Sequence, residues 1–88
     1  MNPYKEILRK FFSEYVGTLR KRRGLTQEQM AEKLRITGRV YSDLERGIYC
    51  FSAVALVFLL LMLEEHELKE LLSPLREEIA KVEDREVA

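Results

Sequence analysis

The sequence predicts an all-α fold of five helices. Apolar residues recur at steps of three and four rather than in alternation, which is the helical period. Side chains able to cap a helix stand ahead of each such run: Asn2, Thr26, Thr37, Ser52 and Ser73. Only four Gly and two Pro interrupt the 88 residues. With 47% hydrophobic and 34% charged residues, the composition is that of a folded chain rather than a disordered one. The length allows a single core with a thin stability margin, so a partner subunit would help.

The first helix starts at Asn2-Pro3, a cap followed by a residue that has no N–H to leave unpaired. Its stripe is Tyr4, Ile7, Leu8, Phe11, Phe12, Tyr15, Val16 and Leu19, and it ends in Arg20-Lys21-Arg22-Arg23-Gly24. Cations suit a helix C-terminus, and Gly suits the left-handed residue beyond it. Thr26 caps the second helix and Gln29 completes a capping box, with Leu25 and Met30 as hydrophobic staple. Thr37 caps the third, with Ile36 and Tyr41 as staple, and Gly47 stops it. Only Arg35 and Ile36 separate these two short helices, so they must cross steeply, as in a helix-turn-helix. Ser52 caps a fourth helix that is apolar all round from Ala53 to Leu63 and continues through Leu68, Leu71 and Leu72. Ser73-Pro74 starts a last helix with the stripe Leu75, Ile79 and Val82.

The composition excludes several classes. One Cys forms no internal disulfide, which points to a reducing, cytoplasmic setting. Cys50 and His66 are single residues and read as structural, so no metal or cofactor is expected. There is no nucleophile–base set and no phosphate loop, so the chain does not read as an enzyme. No signal peptide is visible, and the charge-free window Gly47–Leu63 holds 17 residues, short of a membrane span. Zero net charge hides a division. Residues 1–47 carry eleven Lys/Arg against six Asp/Glu, a net of +5, whereas residues 48–88 carry four against nine, a net of −5. A basic half of this kind suits a polyanion.

Leu19-Arg20-Lys21-Arg22-Arg23-Gly24-Leu25-Thr26-Gln27-Glu28-Gln29-Met30-Ala31-Glu32-Lys33-Leu34, followed by Leu44-Glu45-Arg46-Gly47, resembles the XRE family of helix-turn-helix domains, of the Cro and phage-repressor type. The likeness covers roughly residues 12–63. It implies a five-helix repressor-like fold: a helix-turn-helix DNA-binding domain over 1–72 and, as the fifth element, an extra C-terminal helix over 73–88 for packing or dimerisation. It also implies a sequence-specific regulator, most naturally a repressor, that binds double-stranded DNA as a homodimer.

If that geometry carries over, the third helix enters the major groove and presents Gly38, Arg39, Ser42 and Asp43 to base edges. Arg39 is the strongest reader, since guanidinium bonds both acceptors of guanine. Asp43 would accept from cytosine or else pair with a nearby Arg. Gln27, Thr37, Lys33 and Arg35 would contact phosphates. The resemblance further implies a buried ion pair between Arg20 and Glu45.

The chain departs from the family pattern in three places. Arg35 stands at the turn where Gly is usual, so either the turn differs or Arg35 recovers the cost on a phosphate. Ile48-Tyr49-Cys50-Phe51 replaces the usual basic residue and Pro, and the fourth helix has an apolar outer face. Val54, Phe58, Leu61 and Met62 form that face, and either the last helix, through Leu75, Ile79 and Val82, or a second copy covers it. A dimer built on Val54, Phe58, Leu61, Met62, Leu75 and Ile79 is expected. The alternative is a protein-interaction module or antitoxin-like partner protein on the same fold, with weak or no DNA binding.

Overall fold

A computed structural model describes residues 2–87. Met1 and Ala88, the outer ends of the two predicted segments, lie outside the described residues. The element order is α1 (Pro3–Arg22), α2 (Gln27–Lys33), α3 (Gly38–Glu45), α4 (Ala53–Leu61) and α5 (Glu65–Val87). The architecture is all-helical, with no strand among the described residues.

Local chemistry places the boundaries. Asn2 Oδ1 accepts from the Tyr4 amide at 2.9 Å and opens α1. At the other end, Gly24 takes φ 65, and the Leu25 amide reaches back to the Arg20 carbonyl at 3.1 Å. That back-bond through a left-handed Gly satisfies carbonyls the helix end would leave bare. The Thr26–Gln29 capping box is complete: the Gln29 amide donates to Thr26 Oγ1, and the Thr26 amide donates to Gln29 Oε1. Thr37 and Ser52 cap α3 and α4 through the Val40 and Ala55 amides. Gly47 takes φ 76 beside Ser13, whose hydroxyl lies 3.4 Å from where a Cβ would stand. The left-handed φ is what calls for Gly here, since a Cβ would meet Ser13 only in ordinary contact.

One buried set unites the helices: Phe12, Val16 and Leu19 of α1, Met30 and Ala31 of α2 with Leu34 just beyond it, Tyr41 of α3, Ala55 and Leu59 of α4, and Leu71 of α5. Leu8 and Phe11, from the early turns of α1, pack against this set as additional core.

The last helix differs from expectation. The chain breaks at Met62–Glu64, and α5 then runs unbroken from Glu65 through Pro74, so the 72/73 division falls inside one helix. Glu67 caps the new start. Its Oε1 accepts from the Glu64 amide at 3.0 Å, while Arg22 and Arg23 hold the buried carboxylate from α1. Ser73 is therefore not a cap. Pro74 sits on the exposed side, where water reaches the carbonyl that its missing N–H leaves free. Pro74→Ala should raise stability by up to about 3 kcal/mol in a denaturant titration. A loss on that substitution would mean that a separate helix starts at Pro74.

Candidate nucleic-acid interface

α2 and α3 form a rigid pair because their junction is closed at both faces. Outside, the Arg35 and Ile36 amides donate to the Glu32 and Ala31 carbonyls at 3.2 and 3.0 Å. The turn needs a left-handed residue, and Arg35 supplies it at φ 63, a conformation costing a non-Gly residue about 1–2 kcal/mol. The ordinary turn is thus kept, and its guanidinium settles on the chain itself. Arg35 Nη1 donates to the Lys33 carbonyl at 2.8 Å and to the Glu32 carbonyl at 3.3 Å, and the group lies over the Phe58 ring.

Beneath the pair, Arg20 of α1 clamps Glu45 at the end of α3. Nε and Nη2 donate to Oε2 and Oε1 at 2.8 and 2.9 Å, and Nη1 donates to the Leu25 carbonyl at 2.9 Å. Both side chains are only 15% exposed, which makes this fork a fixed joint between α1 and α3. The Arg20 hydrogen bonds hold the Glu45 carboxyl down to about 2. Gly17 packs against it, in a contact that an added Cβ, 3.4 Å from Glu45 Cγ, would still tolerate. Gln27 Nε2 reaches Glu45 Oε1 at 3.5 Å, a long contact at the start of α2. Tyr41 lies fully buried, and burial pushes its hydroxyl, which has no hydrogen-bond partner among the described residues, to a higher pKa.

The outward face of α3 follows from its inward one. Tyr41 and Leu44 are buried, so Arg39, Ser42, Asp43 and the following Arg46 lie opposite. Arg39 is exposed with no ion pair among the described residues. Asp43 lies 3.7 Å from Arg46 Nη1, the pairing its charge invites. Gly38 opens the helix beside the Glu28 carboxylate, and the Thr37 hydroxyl accepts from the Val40 amide. Lys33 is exposed at the end of α2. The basic stretch after Leu19 is mostly committed elsewhere: Arg20 to Glu45, and Arg22 and Arg23 to Glu67, leaving Lys21. Burying Glu67 against two arginines does not raise its pKa. The Glu64 amide hydrogen bond, with the arginines behind it, holds the carboxyl below the usual range.

The second exposed feature is apolar. On α4, Val54, Val57 and Leu61 are 58%, 51% and 72% exposed, so α5 does not cover them. Val57 was not foreseen, although it lies three residues after Val54 on the same turn face. Phe58 and Met62 are half-buried. Leu75 packs against the core, with Ile79 half-buried on the same stripe, because the main partner of α5 is α1. Those two residues therefore lie apart from the exposed α4 stripe. Ile48 and Tyr49, in the apolar loop after Gly47, and Val40 on the flank of α3 are exposed as well. Among the described residues, no helix is long and apolar enough to cross a membrane.

No curated protein and no solved structure matches the chain. A helix-turn-helix family model matches residues 16–64, from the last two turns of α1 to the residue before α5. That is more than half of the chain, and it contains the Arg20–Glu45 joint, both capped helices and the α3 face. The chain belongs to the helix-turn-helix family of the XRE type, a family of DNA-binding regulators.

Proposed function

We propose that this protein is a sequence-specific transcriptional repressor that binds the major groove through α3 as a two-fold homodimer. The observation that carries this reading is the exposed face of α3, with Arg39 at its start in no ion pair among the described residues and the Arg20–Glu45 fork holding its end. Arg39 reads guanine through both acceptor atoms, and Ser42 bonds a neighbouring base edge. Gly38 stands at the start of the reading helix, beside Glu28. Asp43 keeps to Arg46 or accepts from a cytosine amine. Lys33, Gln27 and the Thr37 region hold the backbone, with Arg35 beside them at the turn.

The exposed stripe Val54, Val57 and Leu61 supports the homodimer, since a small chain gains stability by covering it. Selection from a random duplex pool tests the whole reading. The expected consensus is a near-palindrome with half-sites about one helical turn apart. Leu61→Asp should leave a monomer of half the sedimenting mass, because a charge in an apolar interface goes unpaired. A pool without consensus would overturn the reading. The second reading, a protein-interaction module or antitoxin-like partner on this fold, is favoured by the same stripe together with Asp43 on the reading face.

A further inference from the structure

The α4 stripe and the reading face of α3 lie on different elements, and Arg35 joins them. Phe58 is the middle residue of the stripe, four residues after Val54 and three before Leu61. Its two stripe neighbours are exposed, whereas Phe58 is half-buried, with the Arg35 guanidinium carbon 4.4 Å from its ring centroid. The same guanidinium holds two carbonyls at the end of α2. The backbone beneath it is the left-handed residue of the α2–α3 turn. One side chain therefore ties a strained turn to an aromatic ring on the other exposed surface.

We infer that Arg35 is a positioning residue for α3 with Phe58 as its anchor, so that a second copy of the chain seated on the α4 stripe stiffens the turn that sets the reading helix. The inference takes its occupant from the proposed dimer but does not depend on DNA binding. A cation over an aromatic face is held by the negative face of the ring, and the attraction strengthens when water is excluded. A subunit lying across Val54 and Leu61 excludes water from the open edge of Phe58. The occupant is a second copy because the chain carries no charge from Gly47 to Leu63. Apart from Arg35 over Phe58, the stripe offers only apolar side chains, and an identical stripe meets it apolar to apolar across a two-fold axis. By linkage, whatever fixes the turn favours self-association by the same factor.

Hydrogen exchange at the Ile36 amide, which donates to the Ala31 carbonyl across the turn, reads this directly. The full-length chain is compared with Phe58→Leu, which keeps apolar bulk without the ring. It is also compared with Arg35→Gly, which suits the left-handed backbone without the guanidinium. In dilute protein, both variants should exchange about fivefold faster at Ile36, with Val16 in the core unchanged. Raising the concentration through self-association should slow Ile36 about fivefold in the parent chain and not in the variants. Equal Ile36 rates in dilute parent and Phe58→Leu overturn the anchor. Slowing that persists in Phe58→Leu overturns the route through the ring. A chain that stays monomeric at every concentration overturns the second copy as occupant and the dimer reading with it, while the dilute comparison still decides the anchor.

Discussion

Arg20→Ala should destabilise the fold by about 3–5 kcal/mol, the largest single-residue effect expected outside the apolar core. The cost is not the loss of one attraction. The substitution leaves a carboxylate that is 15% exposed facing Tyr41 and Gly17 with only a long contact to Gln27. Glu45→Ala alone leaves the guanidinium with the Leu25 carbonyl as partner. The double variant should lose less than the two single losses added together, and additivity would show that the residues are uncoupled.

Acid provides a second reading of the same joint. The Glu45 carboxyl sits at about 2 when folded against an ordinary value of 4.5. The unfolded chain therefore binds the proton first, and stability contributed by this group is fully present above about pH 4.5. It is lost as the pH falls from there through about 2, and a shift of this size corresponds to about 3 kcal/mol. Denaturant titrations across that range should show the loss in the parent chain and a much smaller one in Arg20→Ala. Glu67 contributes in the same direction, so some acid sensitivity should remain.

Arg39→Ala should weaken binding to a selected duplex by about 1–3 kcal/mol and relax preference at one position of each half-site. Lys33→Ala should behave differently. A phosphate contact carries no sequence information, so binding should weaken alike on all duplexes, and the slope of log affinity against log salt should flatten by about one unit. Fluorescence anisotropy over a salt series separates the two. Equal losses on selected and scrambled duplexes for Arg39→Ala would remove that residue from base reading.

The parts of this molecule that were legible in the sequence are the local ones. Thr26 with Gln29, Thr37 before Gly38, and Gly24 after a cationic helix end each declare a boundary within a few residues, because caps satisfy neighbouring amides and carbonyls. Arg20 and Glu45 are 25 residues apart, and only the family resemblance suggested pairing them. The Arg22–Arg23–Glu67 cluster spans 44 to 45 residues and had no such guide. For that reason Arg22 and Arg23 counted toward the basic half that suits a polyanion, when one carboxylate of α5 engages both of them. The same carboxylate moved the start of α5 from Pro74 to Glu65. Arg35 was recognised as the residue at a strained turn, but its ring partner lies on another helix, beyond the reach of periodicity.

The most direct test of the central claim is the ratio of affinities for a selected duplex and its scrambled counterpart at one physiological salt concentration. A reading helix held by the Arg20–Glu45 joint should give a ratio of about a thousand or more. A ratio near one, with both affinities falling steeply in salt, would contradict it and leave α3 as a merely basic surface.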